Sequence, residues 1–377
     1  MTDVIVIGGG IAGCSTAWYL ASDGVDVLLL EQSDLCDGAS GANSGNLHVQ
    51  IQAEPFAEFG AGWARRFAPA IPFYLASMDL WDAAGAALGQ DLAIRRVGGV
   101  MVATTQAELR MLAEKAAIET AAGSPVEILS GEDLRKFAAY VSSEVIGGLY
   151  CAAEGMADPL RATTAYAAAA EEAGAKLLRG TGVTGIEQTS AGFDVVTESG
   201  THSARRVVNA AGTQVDRVAT MVGGKVDSAA FPIQVGVTEP MAPTVRHLVY
   251  SCGEPLTVKK THKDTVIIGG GWPARVGNAG NAQVDPSSLG GNISVAVRTI
   301  PGLADARVVR AWAGWVNGNN SWLPVIGELP GVSGFFVNYV PWMGFSGSPA
   351  AARLVASLVQ GKEPEADFDI VPFRPRA

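Results

Sequence analysis

Cysteine, histidine and long apolar runs are scarce in this sequence, and each shortage excludes a class of protein. The 377 residues include 4 histidines and 4 cysteines, without C-x-x-C or Cys–His spacing, so we expect no disulfide framework and no metal. No uninterrupted apolar run approaches the ~20 residues that cross a bilayer. The first apolar run begins at Val4 without a basic leader, which predicts neither a secretory signal nor an anchor. We expect a cytoplasmic protein with buried thiols at Cys14, Cys36, Cys151 and Cys252.

Basic residues are also outnumbered. Lys and Arg total 27 against 37 Asp and Glu, which gives a formal net charge of −10. Because no basic block interrupts this balance, nucleic acid and anionic membrane surfaces are excluded as expected partners. A hydrophobic content of 48% in a chain of this length is enough for a large core and about two domains.

Glycine, by contrast, is abundant, and three glycines near the start have a meaningful spacing. The stretch "DVIVIGGGIAGCSTAWYL" has a β-branched run, Val4 to Ile7, followed by Gly8, Gly10 and Gly13 in G-x-G-x-x-G spacing. A second apolar run, "VDVLLL", ends at Glu31. In this order the glycines allow a tight turn, close approach to a pyrophosphate and helix–strand packing, while the acid accepts hydrogen bonds from a ribose. The sequence predicts a dinucleotide site.

The segment after Glu31 indicates which dinucleotide is bound. It reads "QSDLCDGASGANSGNLHVQ", and its small polar residues let the backbone approach a flat, polar ligand. Gly38, Ser40, Asn43 and Gly45 match the motif G-x-S-x-x-N-x-G. On this match the sequence resembles the superfamily of FAD-dependent D-amino acid, glycine and sarcosine oxidases, and FAD is the cofactor that the resemblance implies.

The resemblance extends over nearly the whole chain. "VNAAGTQVDRVATMVG" resembles the strand and turn beside the adenine, and residues 312–361 resemble the C-terminal flavin segment, with a helix near Ser346 whose positive end faces the flavin. Monomeric sarcosine oxidases carry a flavin-linked cysteine in the segment matching Trp312 to Trp315, and none occurs here, so we expect non-covalent FAD. The implied cofactor residues are Gly8, Gly10, Gly13, Glu31, Gln32, Ser40, Asn43, Ser44, Gly45, Val183, Ala211, Gly212, Gly344, Phe345 and Ser346.

The implied fold is α/β, with a Rossmann-like FAD domain of the glutathione-reductase type and an interleaved antiparallel α+β substrate domain. We assign residues 1–50, 151–230 and 306–377 to the FAD domain, and residues 51–150 and 231–305 to the substrate domain. The first insertion is helical in pattern and the second is strand-like. Within the FAD domain, Asp158 and Pro159 predict the start of a helix that ends near Gly174. A strand, "AKLLRG", and a turn, "TGVTGIE", follow.

The substrate residues are less clear, because the sequence departs from its relatives. The carboxylate-clamping Arg of glycine and D-amino acid oxidases is replaced by Val316, and the acid expected before Pro324 by Ser321. The candidates for substrate contact are His48, Lys259, Lys260 and Trp342, with Asn338 beside them. The two lysines can equally form a solvated strand end, and His48 can be a core hydrogen-bonder. Trp315, Trp322 and Trp342 can line a pocket or simply pack.

The resemblance implies hydride transfer from the carbon beside an amine nitrogen to flavin N5, followed by imine hydrolysis. The segments "SGNLHVQIQ" and "GGLYCAAEGMADPLR" are similar to those in flavin subunits of bacterial opine, hydroxyproline and sarcosine dehydrogenases. We therefore expect an enzyme acting on a secondary amine such as sarcosine, iminodiacetate or an opine. The acceptor is oxygen, giving hydrogen peroxide, or a partner subunit or quinone. The alternatives are a glycine or D-amino acid oxidase, and a flavin subunit of a hetero-oligomer; a homo-oligomer also fits.

Overall fold

A computed structural model describes residues 1–242 and 245–376 of the chain. Its strands, in chain order, are β1 (Thr2–Ile7), β2 (Val27–Leu30), β3 (Asn46–Leu47), β4 (Gly99–Ala103), β5 (Val126–Ser130), β6 (Gly147–Cys151), β7 (Gly155–Met156), β8 (Lys176–Leu178), β9 (Val183–Thr189), β10 (Gly192–Thr197), β11 (Gly200–Asn209), β12 (Ala229–Pro240), β13 (Leu248–Ser251), β14 (Thr257–Lys260), β15 (Thr265–Gly269), β16 (Arg275–Val276), β17 (Ala282–Gln283), β18 (Val308–Gly318), β19 (Val325–Glu328) and β20 (Phe335–Tyr339).

The helices connect and cover these strands. In chain order they are α1 (Ile11–Ser22), α2 (Ala39–Ala42), α3 (Ala53–Phe67), α4 (Ala70–Ala87), α5 (Gln106–Ala121), α6 (Gly131–Phe137), α7 (Pro159–Glu172), α8 (Val215–Thr220), α9 (Pro286–Thr299) and α10 (Gly344–Val359). Short 3-10 turns lie at Gly212–Gln214, Pro301–Leu303 and Val371–Phe373. In the described part of the chain, no helix is long and apolar enough to cross a membrane.

The first sheet carries the predicted nucleotide strands. Its order is β19-β20-β11-β1-β2-β8, with β10 and β9 continuing from β11. β1 lies between β2 and β11 and is parallel to both. Val4 and Val6 pack into one core, and Ile5 and Ile7 pack into another on the opposite face. The β-branched run is therefore covered on both sides, as a central parallel strand requires.

The second sheet is antiparallel except for one pair. Its order is β18-β12-β15-β14-β13-β4-β6-β5, and β13 runs parallel to β4. Its core includes Val100, Val249, Val258 and Ile268. Two sheets with this division match the predicted fold class, which the structural comparison below confirms.

Several elements differ from those that the sequence predicts. Residues 306–377 were expected in the FAD domain. β18 instead pairs with β12 in the second sheet, because this long antiparallel partner lies in the second insertion. The first insertion also supplies β4, β5 and most of β6, and the second supplies α9. "TGVTGIE" turns only as far as Gly182 and then forms β9. The helix after Asp158 is confirmed, since that carboxylate accepts from the Leu160 and Arg161 N–H groups at 3.0 and 3.2 Å.

Candidate functional site

A cavity of about 1480 Å³ lies at the carboxyl ends of β1 and β2 and reaches the second sheet. This is larger than the 300–1,000 Å³ typical of a single small-ligand site, so it has room for a dinucleotide and a second molecule. Most of the predicted residues line it: Gly8, Gly10, Glu31, Gln32, Ser40, Asn43, Ser44, His48, Ala211, Gly212, Trp342, Gly344, Phe345 and Ser346.

Sterics account for the glycines of the first turn. Gly8 has a φ of +110°, and a Cβ atom there would lie 2.5 Å from the Ala210 carbonyl oxygen. A Cβ atom on Gly13 would lie 1.8 Å from the Gly8 carbonyl oxygen. Gly13 is not among the described cavity residues. Its lack of a side chain instead lets α1 approach β1. It acts through helix–strand packing, as the motif predicts.

Glu31 and Ser40 meet at the N-terminus of α1. Gly10 caps this helix without a side-chain hydrogen bond, and the Ile11 N–H donates to Ser40 Oγ at 2.9 Å. Glu31 accepts from the Gly9 N–H at 2.6 Å and from the Ser33 N–H at 2.8 Å. The positive end of α1 therefore faces the cavity beside a carboxylate, an arrangement that accepts a pyrophosphate and its ribose.

The loop after α2 is held by its own amide side chain. Asn43 donates to the Ser40 carbonyl at 2.6 Å and accepts from the Gly45 N–H at 2.7 Å. Gly45 has a φ of +76°, and a Cβ atom there would lie 2.1 Å from the Ala157 carbonyl oxygen. Gly45 is absent from the described cavity lining, so it shapes the loop from behind while Ser44 faces the cavity.

The N-terminus of α10 is a second positive helix end on the cavity. Met343 caps it without a side-chain hydrogen bond. Ser346 ties it to the loop, since its Oγ accepts from the His48 N–H at 2.8 Å and donates to the Asn46 carbonyl at 3.2 Å. Its own carbonyl accepts from Ser77 and Trp81. α10 is therefore fixed with its uncapped end where negative charge would be stabilised.

His48 lies between α10 and the second sheet. Its Nδ1 is 2.7 Å from the Tyr250 hydroxyl oxygen, and both residues line the cavity. Burial, reinforced by the charge of Lys259, lowers the pKa of His48 to about 3. The ring is therefore neutral and belongs to the cavity wall. Sequence reasoning missed Tyr250; its only signal was a phenol within the apolar strand "HLVYS".

The two lysine candidates have different positions. Lys259 is buried, and its Nζ has no hydrogen-bond partner within the described residues. It lies close behind Gly45, where a Cβ atom would be 3.2 Å from Nζ. Lys260 points to the other face and pairs with the exposed Asp264 at 2.7 Å. Neither is in the described cavity lining. The Lys260 side chain is 11% exposed, and it ends at an exposed carboxylate and not at the cavity.

Aromatic rings form the far wall of the cavity. Trp342 stacks on Trp322 at 4.6 Å and on Phe231 at 4.8 Å between ring centroids. Trp322 and Trp342 have φ values of +64° and +59°, a conformation that bulky residues adopt only when their surroundings impose it. Trp315 and Val316 also line the cavity. Val183, expected beside the adenine, opens β9 and is outside the described lining.

These residues fit FAD. Two helix N-termini, a glycine turn that admits no Cβ atom, and a carboxylate beside it line one cavity large enough for the cofactor and a substrate. Within the described residues, no group of His, Cys, Asp and Glu could hold a metal ion.

Comparison with known proteins agrees with this geometry. Glycine oxidase from Geobacillus kaustophilus (strain HTA426) is 29% identical over 98% of this chain and 96% of that protein. One of the opine oxidase subunits from Agrobacterium tumefaciens (strain Ach5) is 31% identical over 83% of this chain and 81% of that protein. The crystal structure of glycine oxidase from Geobacillus kaustophilus matches with a TM-score of 0.86 and 26% identity, over 100% of this chain and 98% of that one.

The family match covers almost the entire chain. Residues 3–358 match the DAO family, described as FAD dependent oxidoreductase. The predicted fold class, the FAD cofactor and the class of oxidoreductase are thereby confirmed. The chain belongs to the DAO family of FAD-dependent oxidoreductases.

Proposed function

We propose that this enzyme oxidises a secondary amine of the N-substituted amino-acid class, such as sarcosine, iminodiacetate or an opine. FAD, when bound, supplies the acceptor for a hydride from the carbon beside the nitrogen. The substrate loses that hydride and the N–H proton to become an imine, which water hydrolyses to a carbonyl compound and an amine. Oxygen then takes the two electrons and two protons and leaves as hydrogen peroxide.

The charge of the side chains that line the cavity is the main observation in support of this proposal. In the described part of the chain, the charged side chains that line the cavity are all acidic: Glu31, Asp34, Asp37, Glu54, Glu58, Asp227 and Glu254. A cleft lined by one sign of charge attracts groups of the opposite sign, which here means the ammonium group of an amino acid and not its carboxylate. Burial and the neighbouring Glu58 raise the pKa of Glu54. The names of the two relatives, a glycine oxidase and a component of an opine oxidase, support the amine as substrate.

The chain's own residues supply orientation in this proposal. The uncapped end of α10 faces the cavity beside Ser346, where it stabilises negative charge on a bound group. The neutral His48 offers a ring nitrogen to the substrate, and Trp342 and Trp322 provide an apolar surface for its second arm. Val316 supplies no guanidinium clamp, which favours substrates with further contacts over glycine.

Anaerobic reduction of the bound flavin tests the substrate class. We expect sarcosine, iminodiacetate or an opine to bleach the yellow protein, and D-alanine and glycine to bleach it at least tenfold more slowly. Readmitted air should restore the colour with one peroxide per flavin. Equal bleaching by glycine and D-alanine would replace this proposal with a primary amino-acid oxidase, and slow recovery in air would exclude oxygen as the acceptor.

A flavin subunit of a hetero-oligomer is the second candidate function. The observation that favours it is the 31% identity to a protein named as a subunit of opine oxidase. If the chain depends on a partner, neither oxygen nor an artificial acceptor such as a soluble dye will support turnover by the isolated chain. Turnover with the dye but not with oxygen would make it a dehydrogenase. The unpaired cysteines support the cytoplasmic location that we propose for either form.

Replacing Glu31 by alanine should lower FAD occupancy. The substitution removes the carboxylate that we expect to bind the ribose, and it leaves the Gly9 and Ser33 N–H groups without their acceptor. Loss of such charge-assisted bonds weakens binding by roughly 1.5–3 kcal/mol, which is about 10- to 100-fold. The ratio of flavin to protein absorbance after dialysis measures this, and Glu328→Ala, in β19, serves as a control. Full occupancy in Glu31→Ala would remove Glu31 from the FAD site.

Acid precipitation should release all of the flavin. No cysteine occurs in the segment from Trp312 to Trp315, and the cavity offers polar groups and helix N-termini to the cofactor. We expect a yellow supernatant and a colourless pellet after trichloroacetic acid treatment. A yellow pellet would contradict the proposed non-covalent binding.

A further inference from the structure

A chain of buried polar side chains runs from the cavity wall into the protein. It begins at His48, whose Nδ1 is 2.7 Å from the Tyr250 hydroxyl oxygen, and continues to the fully buried Glu154. Glu154 Oε1 accepts from the N–H groups of Val49 and Gln50, each at 2.8 Å. Its Oε2 accepts from the Gln50 side-chain amide at 2.9 Å.

Lys115 fixes the proton positions at the inner end of this chain. Its ammonium can only donate, and it donates to Gln50 Oε1 at 3.2 Å and to Glu119 Oε2 at 2.9 Å. Gln50 therefore turns its oxygen to Lys115 and its NH₂ group to Glu154. Burial raises the pKa of Glu154, and its hydrogen bonds from the Val49 and Gln50 N–H groups and the Gln50 amide oppose that shift. Glu154 accepts in each of these bonds, which is the role of an ionised carboxylate.

The direction of the Tyr250 hydrogen bonds determines which nitrogen of His48 carries the proton. Burial, the charge of Glu154 and a hydrogen bond to that carboxylate raise the pKa of Tyr250 well above its usual value. The two side chains lie beside one another, since a Cβ atom on Gly99 would be 1.8 Å from Glu154 Oε2 and 3.0 Å from Tyr250 Cε2. The phenol therefore keeps its single proton and donates it to Glu154. Its oxygen is left to accept from His48 Nδ1, so Nδ1 carries the N–H. A neutral imidazole has one N–H, and Nε2 is therefore a bare acceptor.

We infer that Glu154 and Tyr250 are positioning residues that hold His48 in the Nδ1–H tautomer, so that Nε2 accepts a hydrogen bond from the reacting nitrogen of the substrate. The inference rests on the proposed amine oxidation and defines its substrate more narrowly. A neutral primary or secondary amine has an N–H to donate, whereas a neutral tertiary amine has none. A buried acceptor left without its donor discriminates strongly between such substrates.

The tautomer can be measured without turnover. The chain has 4 histidines, so FAD-loaded protein labelled with ¹⁵N-histidine gives few signals, and His48→Gln identifies the His48 pair. We expect a protonated Nδ1 and a bare Nε2 in the wild type, and a shift towards the Nε2–H tautomer in Tyr250→Phe, which keeps the buried ring. A bare Nδ1 in the wild type would overturn the inference, even if an amine is the substrate.

Substrate selectivity tests the second half of the inference. We expect anaerobic flavin reduction by the best secondary amine to be roughly 100-fold faster than by its N-methylated tertiary derivative. His48→Leu should reduce this ratio to below about 5, Tyr250→Phe should give an intermediate ratio, and His48→Gln, which retains an acceptor oxygen, should restore part of it. An unchanged ratio in His48→Leu would overturn the role of Nε2, since the discrimination would then be steric.

The two measurements separate the possible failures. If no amine reduces the flavin but the tautomer is as expected, the proposed function is wrong and the positioning by Glu154 and Tyr250 stands. If secondary amines reduce the flavin but His48 carries its proton on Nε2, the proposed function stands and this inference is wrong. Flavin content and melting temperature of each variant show whether a lost preference comes from misfolding.

Discussion

Gly13→Ala should purify without flavin. The added methyl group would lie 1.8 Å from the Gly8 carbonyl oxygen and 3.0 Å from its carbonyl carbon, so α1 must move away from β1. That movement displaces the N–H groups at the start of α1 and the glycine turn that faces the cavity. A misplacement of about 1 Å can lower the rate of an enzyme reaction about 100-fold, and we expect FAD affinity to fall by at least this factor.

Gly290→Ala is the matched control, because both residues are helical glycines. A Cβ atom on Gly290 meets nothing within 4 Å, and the residue is exposed on α9. Alanine should therefore stabilise that helix by about 0.5–1 kcal/mol and leave flavin binding unchanged. The absorbance ratio of flavin to protein, with thermal unfolding of each variant, makes the comparison. Normal occupancy in Gly13→Ala would show that close helix–strand contact is not required for FAD.

The parts of the fold that follow local rules were predictable from the sequence. A β-branched run covered on both faces, a glycine turn and a helix begun by Asp158 each depend on residues adjacent in the chain. Their chemistry therefore appears as a motif. The resemblance to a known family added the order in which these pieces assemble, which no local pattern contains.

The surroundings of His48 were not predictable in this way. Tyr250 comes from β13 and Glu154 from the segment after β6, and these strands are brought together by β4, which pairs with both. Lys115 and Glu119 have the spacing of an exposed helical ion pair, yet both are fully buried. The available signal was a carboxylate at Glu154 within the largely apolar stretch "LYCAAEGM", since buried charges are rare unless they are paired.

The two adjacent lysines show a second limit of sequence reasoning. Side chains alternate between the faces of a strand, so one of Lys259 and Lys260 had to point inward. Which one depends on the register of β14 against β15, where Lys259 is opposite Ile267. That register is a property of the whole sheet. Neither lysine is a fully solvated strand end, since Lys259 is buried and the Lys260 side chain is 11% exposed where it meets the exposed Asp264.

Lys259→Met should make the protein more stable. The Lys259 side chain is 3% exposed, and its amine has no hydrogen-bond partner in the described residues. Burial lowers its pKa well below the usual value, with the charge of Asp158 opposing this shift. An unsatisfied buried polar group is unfavourable by about 1–3 kcal/mol, and methionine fills a similar volume without a polar atom.

The gain in stability should depend on pH with a definite sign. Unfolded lysine binds its proton up to a pKa of about 10.4, whereas buried Lys259 releases it at lower pH. Between these two pKa values the unfolded wild type holds one more proton than the folded state, so wild-type stability rises with pH by about 1.4 kcal/mol per unit. Lys259→Met lacks this term. Its advantage over the wild type should therefore be largest at low pH and shrink as the pH approaches 10.

Thermal unfolding at pH 6, 7.5 and 9 measures this difference, with Lys260→Met as the matched control. Lys260, whose side chain is 11% exposed, has a partner in Asp264, so its replacement removes an ion pair and not an unsatisfied amine, and it should not stabilise the protein at any of these pH values. A variant that is no more stable than the wild type, or whose advantage is independent of pH, would show that Lys259 is paired in the folded protein.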